Sequence, residues 1–390
     1  MGGSRGVVTA LLVLGIFAAG AAPGAVYCPR REGFAATLLF PYFEVDLDGT
    51  RTTLLAIGNS NRANAAFTPS PDHALVRVTL WTDWAIPTLS FDLYLRRGAV
   101  QTINLRDIFL TGSVPVTHPP PGVFPGCGST LGGQLAVPST LQTQHTGRPT
   151  FNFCFASPRS DTTLATGYAT VDVVNRCSES GTNPTRPNYF GTVISPASND
   201  NRLFGDFMLV DPTQNFASGQ QAVALHASRS AFGAGDYTFY GRYVGFRGTD
   251  KRRPLSSTWG ARYLTGGAFD GGTQLLVWRD TKSASTAARA CGGAPGWAPL
   301  GEANVVAIDE QGARRSLGTP SEFFDVATQR VDVRSALHPP ADFGWLSLSL
   351  AHRNGSQAQA WVGTVASAQN RFSAGFSATP LIHDPCSMRP

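Results

Sequence analysis

The feature that most constrains the fold of this chain is an internal repetition. Residues 100–109 read VQTINLRDIF and residues 328–337 read TQRVDVRSAL. The two segments share the Gln, the alternation of apolar and polar side chains and the Arg. Alternate residues lie on one face of a β-strand, so both segments would bury the same positions. One match over ten residues proves little, but it raises the hypothesis that the chain is built from two like halves.

Further segments match in the same order along the chain. The remaining pairs are 48–59 with 270–280, 74–80 with 303–309, 91–93 with 324–326, the His-Pro-Pro at 118–120 with that at 338–340, 167–174 with 344–351, and 214–219 with 369–375. Seven collinear pairs with agreeing strand phase predict an internal duplication. The alternative is that β-rich sequences of this composition produce such matches by chance.

Composition and periodicity predict the fold class. The 42 glycines and 27 prolines indicate many turns, and almost no segment keeps a helical apolar period over three turns, although residues 105–110 can form a single helical turn. We predict an all-β fold of two tandem immunoglobulin-like antiparallel β-sandwich domains, the first enlarged by long disulfide-bearing loops. The strands of the first half are expected near 35–45, 52–58, 74–81, 88–95, 99–105, 166–174, 205–211, 221–226 and 237–244.

One residue carries a resemblance to a known architecture. Tyr168 lies near the start of its expected strand and resembles the tyrosine corner of immunoglobulin-like folds. The resemblance concerns architecture alone and implies no function.

Domain boundaries follow from the repeat and from local composition. We expect a signal peptide at 1–25, a first domain at 26–248, a linker at 249–257 and a second domain at 258–390. The first domain carries loop insertions near 112–164 and 176–204, which are rich in Gly, Pro, Ser and Thr. Long loops on a β scaffold are uncommon unless they are functional or cross-linked.

The N-terminus predicts export. It has one Arg, an apolar stretch at 7–19 and small residues up to Ala25, as a secretory signal peptide does. The apolar stretch is short for a membrane span. We expect a secreted, periplasmic or cell-surface protein with no integral membrane segment after signal cleavage.

Cysteine usage agrees with export. The six cysteines are Cys28, Cys127, Cys154, Cys177, Cys291 and Cys386. An even number in an exported chain predicts up to three disulfides. We favour the pairing of Cys291 with Cys386, because both fall in the C-terminal half, and leave the pairing of the other four open. The chain has no CxxC, which argues against zinc and thioredoxin-like redox sites.

Net charge does not indicate nucleic-acid binding. The formal charge is +5 with a pI near 9.0, but the cations are scattered, and the tightest run is Lys251-Arg252-Arg253 in the expected linker. A nucleic-acid binder usually has a basic stripe or a known module. We expect no nucleic-acid partner.

Motifs of catalytic strength are absent from the sequence, and we expect no cofactor, metal site or catalytic residue. Asp46, Asp48 and Gly49 could suggest a calcium loop, but the repeat of Asp-Gly at Asp270 favours a hairpin turn. His118 and His338, and likewise Arg106 and Arg334, recur at matching places in the two halves, so we interpret them as structural loop residues. The acids Asp172, Asp206 and Asp211 single out no pair for glycoside hydrolysis.

These observations favour a non-enzymatic protein with a structural, adhesive or surface-interaction role and a protein or extracellular-matrix partner. The alternative is a carbohydrate-binding protein that uses exposed aromatics, with Trp81 and Trp84 as ligand contacts; against it, both tryptophans can pack in the core. A third hypothesis is a hydrolase in the insertion loops, which would require His145 or His226 beside a carboxylate in a pocket.

Overall fold

The architecture is that of a computed structural model, which is mostly β and built from antiparallel sheets. The all-β prediction is therefore confirmed. The structure describes residues 34–60, 73–147, 155–156, 163–178, 182–186, 188–190, 196–228, 238–241, 250–280, 305–317, 326–350, 359–369 and 371–381.

The first half contains eleven strands, two α-helices and a short 3-10 helix within these ranges. They are β1 (Thr37–Asp46), β2 (Thr52–Asn59), β3 (His73–Thr82), β4 (Pro87–Arg96), β5 (Val100–Asn104), α1 (Leu105–Thr111), β6 (Ser113–Thr117), β7 (Leu131–Gln134), α2 (Pro138–Thr146), β8 (Leu164–Val174), β9 (Leu203–Asp211), η1 (Pro212–Gln214), β10 (Phe216–Gln221) and β11 (Val223–Leu225).

The second half contains nine strands and one short helix in its described part. They are β12 (Thr258–Leu264), β13 (Gly272–Arg279), β14 (Val305–Asp309), β15 (Arg314–Leu317), β16 (Thr328–Asp332), α3 (Val333–Leu337), β17 (Phe343–Ser349), β18 (Ala360–Ala368), β19 (Phe372–Ser377) and β20 (Thr379–Pro380).

The two halves have the same strand order. In the first half, sheet I runs β11-β1-β8-β3-β4 and sheet II runs β10-β9-β2-β5. In the second half, sheet III runs β20-β12-β17-β14-β15 and sheet IV runs β19-β18-β13-β16. Each strand of sheets III and IV thus has a counterpart at the same place in sheets I and II, and the counterparts follow one another in the same order along the chain. The β6-β7 hairpin of the first half is an addition.

Register agrees as well as order. Leu55 of β2 pairs with Ile103 of β5, and Leu275 of β13 pairs with Val331 of β16. These four residues are buried. The opening repeat, VQTIN and TQRVD, therefore occupies the same edge of two like sheets with the same side chains turned to the core.

The same repeat continues into a helix in both halves. Asn104 caps α1 by accepting a hydrogen bond from the backbone NH of Arg106, and Asp332 caps α3 by accepting one from Ser335. The expected helical turn at 105–110 is confirmed and is slightly longer. Its arginine and that of α3 reach loop carbonyls: Arg106 donates to Asp46 O and Arg334 to Thr265 O. Both arginines thus make the kind of carbonyl contact that the structural interpretation predicts.

Three of the matched segments need correction. The counterpart of β4 is β15, so residues 324–326 do not correspond to 91–93. The strand at 74–80 is displaced by two residues, because Val78 and Val305 pair with the equivalent Val171 and Leu348. A shift of two keeps the same strand face, which is why the alternation could not reveal it. The second His-Pro-Pro directly follows α3, whereas β6 separates the first from α1.

Other local predictions also differ from the structure. The strand expected at 237–244 is absent from its described part, 238–241, which forms a turn. The insertion at 112–164 carries β6, β7 and α2. Within the expected linker, Asp250 and Arg252 are buried. The domain boundaries themselves stay a prediction.

The sheets of each half pack on each other. Phe40 of β1 lies 6.3 Å from Phe207 of β9, between sheets I and II. In the second half, the indole of Trp259 in β12 donates to Ala360 O of β18 at 3.1 Å. One cluster of buried apolar side chains extends through both halves. Burial of these apolar faces against each other is the main force that holds such a fold together.

Candidate functional site

A group of buried charged side chains surrounds Asp172. Asp172 is the one charged residue of the buried strand β8, and its side chain is fully buried. An isolated charge in that position would be strongly unfavourable, so its partners decide what the site can do.

Four side chains saturate the Asp172 carboxylate. The hydroxyl of Thr37 donates to Oδ1, and the hydroxyl of Tyr189 donates to Oδ2 at 2.9 Å. The hydroxyl of Tyr240 lies 3.1 Å from Oδ2, and the guanidinium of Arg252 lies 3.5 Å from Oδ1. These partners come from β1, from the 176–204 insertion and from the segment that precedes the second half.

Arg252 is as buried as its carboxylate partner. It donates to the hydroxyl of Thr37 and to Ser198 O, the latter at 2.8 Å. Its guanidinium lies 5.0 Å from the ring centre of Phe190, within the distance at which an aromatic face stabilises a cation. Arg252, which the sequence analysis assigned to a linker, is thus a core residue.

Burial and charge act in opposite directions on this cluster. Burial raises the pKa of Asp172 above its ordinary value, and Arg252 and the hydroxyls oppose the rise only in part. Burial by itself would lower the pKa of Arg252, but Asp172 and Asp250 outweigh it and the pKa is raised. Burial and the charge of Asp172 raise the pKa of both Tyr189 and Tyr240 well above its usual value.

The geometry makes this cluster a clamp. Both oxygens of Asp172 are engaged, and Asp250 in turn accepts from the backbone NH of Tyr240 at 2.8 Å and of Arg252 at 3.1 Å. These contacts fix an insertion and the inter-half segment to sheet I.

A second charged cluster joins the halves. Glu44 of β1 accepts from the guanidinium of Arg330 in β16 at 2.6 Å, and Arg51 bonds Asp211 at 3.0 Å beside it. The guanidinium of Arg330 also lies over the ring of Phe216, 5.1 Å from its centre. Glu44 is buried, whereas the Arg330 side chain is partly exposed.

Trp81 and Trp84, the expected ligand contacts, both lie in the core, with exposures of 0% and 3%. Trp81 stacks on Tyr168 at 5.6 Å, and its indole donates to the hydroxyl of Thr170 at 2.9 Å. Neither ring offers a face to a sugar, so burial favours core packing over ligand contact for both.

The histidines named for a hydrolase lie on α2 and directly after β11. His145 is fully buried on α2, and its ring nitrogens lie 2.8 Å from the hydroxyl of Thr88 and 2.9 Å from Thr166 O. The rings of Phe43 and Phe109 also contact it. His226 is half-buried, and its carbonyl accepts from the backbone NH of Arg253.

The suspected calcium loop is a turn. One oxygen of Asp46 accepts from the backbone NH of Asp48 at 3.1 Å and of Gly49 at 2.9 Å. This arrangement closes the β1-β2 connection without an ion. Among the described residues no group of three or more His, Cys, Asp or Glu side chains could hold a metal.

One disulfide lies within the described chain. Cys127 and Cys177 are bonded, and they tie the 112–164 insertion to the end of β8. Both cysteines are among the six disulfide candidates that the sequence analysis named. Cys28, Cys154, Cys291 and Cys386 lie outside the described residues, and so does the favoured pairing of Cys291 with Cys386.

The Asp172 cluster escaped prediction because its members are far apart in sequence. Asp172 and Arg252 are brought together only by the fold, and Tyr189 and Tyr240 lie in loops. The one local signal was the acid itself, since Asp172 stands between Val171 and Val173 in a strand with no other charged residue.

Within the described part of the chain no helix is long and apolar enough to cross a membrane. Comparisons of the chain with protein-family models, with curated proteins and with solved structures found no match.

Proposed function

We propose that this chain is an exported, non-enzymatic β-sandwich protein with a structural, adhesive or surface-interaction role. In this proposal sheets I and II form one immunoglobulin-like sandwich and sheets III and IV form a second in tandem. The matching strand orders support the tandem arrangement. The signal-like N-terminus and the disulfide between Cys127 and Cys177 support export.

The main support for a non-enzymatic role is that the buried carboxylate of Asp172, the strongest candidate for a catalytic group, already has partners on both of its oxygens. Both carboxylate oxygens of Asp172 are engaged, by Thr37, Tyr189, Tyr240 and Arg252. A general base must instead lie within reach of a substrate proton. The burial of Trp81 and Trp84 likewise weighs against these two residues as the sugar contacts of the carbohydrate-binding alternative.

A second line of support is the way the parts are fastened. The clamp at Asp172 and the pair of Glu44 with Arg330 hold an insertion and both halves to one core. A scaffold that presents surfaces to a partner gains from such rigidity, because less conformational entropy is lost on binding.

Adhesion and turnover measured side by side test this function. Beads coated with the full chain would be placed on surfaces that carry extracellular-matrix proteins, with albumin-coated beads as the control. The same preparation would be offered ester, peptide, glycoside and phosphate model substrates. We expect adhesion above the albumin control and no turnover. Saturable turnover that scales with the concentration of the chain would contradict the proposal, as would beads that adhere to none of the surfaces.

A further inference from the structure

The two halves contact each other through different faces. Phe40 of sheet I faces sheet II and pairs with Ala169 of β8, so Ala169 also faces sheet II. Because side chains alternate along a strand, the adjacent residue Tyr168 lies on the opposite, outer face of sheet I. The ring of Tyr168 is 6.0 Å from Trp278 of sheet IV. Thr328 of sheet IV donates to Pro41 O of sheet I at 2.5 Å. The outer face of sheet I therefore packs on the outer face of sheet IV.

Sheet III is the counterpart of sheet I in the second half, and its outer face is exposed to solvent, whereas that of sheet I is covered by sheet IV. Gly167 and Gly344 hold equivalent positions, because each is paired with an aromatic residue of the next strand. The residues that follow them are Tyr168, which is 1% exposed, and Trp345, which is 49% exposed. Phe343, on the same face as Trp345, is also exposed. Sheet III thus exposes Trp345 to solvent at the position where the Tyr168 ring of sheet I is buried against sheet IV.

Sheet II is the counterpart of sheet IV in the first half, and its outer face is exposed to solvent, whereas that of sheet IV is covered by sheet I. Trp278 pairs with Trp361 and Thr328, and the equivalent Gly58 pairs with Phe204 and Val100. The three residues of sheet IV, and Val365 on the same face, are buried. The counterparts of Trp361, Thr328 and Val365 in sheet II are exposed, namely Phe204, Val100 and Met208, while Gly58, the counterpart of Trp278, is covered by the Phe204 ring.

The outer faces of sheets II and III hold half of the exposed large apolar residues of the described chain. Of the ten exposed large apolar residues in the described chain, five lie on them: Val100, Phe204, Met208, Phe343 and Trp345. Contiguous exposed apolar residues mark interaction surfaces. The charges on the two faces are also complementary. Arg262 is paired with Trp345 across sheet III, and Asp206 lies between Phe204 and Met208 on β9; both are exposed.

We propose that copies of this chain associate head to tail, with sheet III of one copy packed on sheet II of the next. The contact between copies would repeat the contact inside each chain, with Trp345 in the place of Tyr168 and Phe204 in the place of Trp361. An interface between two different faces is heterologous, so it extends into a row of copies unless the rotation closes a ring. This inference goes beyond the proposed function, because it concerns a second copy and no other partner.

Sedimentation velocity of the full chain from about 1 to about 100 μM tests the proposal, since interfaces of standard size bind with micromolar or tighter affinity. We expect the weight-average mass to rise with concentration. Trp345→Asp and Phe204→Asp should each weaken association at least about tenfold, as loss of a central aromatic residue does. Val137→Asp is the matched control, because Val137 is 63% exposed and lies outside both faces. All variants change exposed residues, and circular dichroism would verify their folding.

Mixing the two variants distinguishes a head-to-tail contact from a symmetric one. Trp345→Asp keeps sheet II intact and Phe204→Asp keeps sheet III intact, so an equimolar mixture should form dimers and nothing larger. A wild-type chain that remains monomeric over the whole range would overturn the proposal. So would association that neither variant weakens, association that only one of them weakens, or a mixture without dimers.

Discussion

Glu44 and Arg330 are 286 residues apart in the chain and form an ion pair of 2.6 Å between β1 of the first half and β16 of the second. Glu44 is buried, whereas Arg330 keeps about a fifth of its side chain exposed, at 21%. The pair therefore links the halves at a place where water screens the charges poorly.

Arg330→Met should destabilise the chain by about 1–3 kcal/mol, because it leaves the buried Glu44 carboxylate short of a partner. The loss is bounded because Tyr42 still donates to Glu44 at 2.8 Å. Urea denaturation would measure it. Arg371→Met is the matched control: Arg371 pairs with Asp270 at 3.1 Å, but both side chains are about half exposed, so its urea midpoint should not move. Equal midpoints for the two variants would contradict the structural role of the first pair.

The clamp at Asp172 gives a prediction for a double-mutant cycle. Arg252→Met should cost about 3–5 kcal/mol of stability, since it leaves a buried carboxylate uncompensated. Adding Asp172→Asn should restore part of that loss, because the amide carries no charge and still accepts from the hydroxyls of Tyr189 and Tyr240. Additive losses in the double variant would show that the two side chains do not interact.

The equivalent helix caps predict equivalent losses. Asn104→Ala and Asp332→Ala each remove a side chain that accepts from a backbone NH at the start of its helix. Each should cost about 0.5–2 kcal/mol, the usual range for a lost N-cap. Thr102→Ala, at an exposed position of β5, is the control and should be nearly neutral. A loss at only one of the two caps would argue against equivalent motifs.

Peptide mapping without reduction should recover Cys127 linked to Cys177. The bond closes a loop of 50 residues in sequence separation, so the paired replacement by Ser should lower stability by about 2–4 kcal/mol. Recovery of Cys127 in a link with any other cysteine would contradict the structure. The same experiment tests the expected link of Cys291 with Cys386.

Asp211 predicts a specific dependence on acid pH. Burial acts to raise its pKa, but hydrogen bonds from Thr213 and Arg51 outweigh burial, and the pKa is lowered. Its contribution to stability should be present above the unfolded value of about 3.9 and lost as the pH falls through the lower folded value. The gap in urea midpoint between the wild type and Asp211→Asn should hold near neutral pH and shrink below about pH 4. A gap that is constant down to about pH 2 would contradict this.

The strands and their repetition were predictable because alternation is a local signal. Gln101 and Gln329 were aligned correctly, since a one-residue slip would have turned every buried side chain to the wrong face. A three-residue match such as 91–93 with 324–326 carries too little of that signal, and it was wrong. The described part of the expected strand at 237–244, residues 238–241, is not a strand for a related reason: Phe239 and Tyr240 are buried in a turn, and an apolar pair alone does not distinguish a turn from a strand.

The polar clusters were not predictable, because they depend on contacts between distant segments. Arg252 lies in a run of cations whose composition resembles a linker, and its burial is explained by distant partners such as Asp172 and Phe190. The tryptophans show a limit of strand periodicity. Trp81 and Trp84 are three residues apart and would face opposite sides of one strand. However, β3 ends at Thr82, so Trp84 lies in the turn that follows the strand, and both rings are buried.

The central claim is that the chain consists of two equivalent halves, and a crystal structure of the full chain tests it most directly. Superposing residues 258–380 on 37–225 should bring β12, β13, β16 and β17 onto β1, β2, β5 and β8, with the Leu275–Val331 pair on the Leu55–Ile103 pair. Sheets with unrelated strand orders in the two halves would contradict the account.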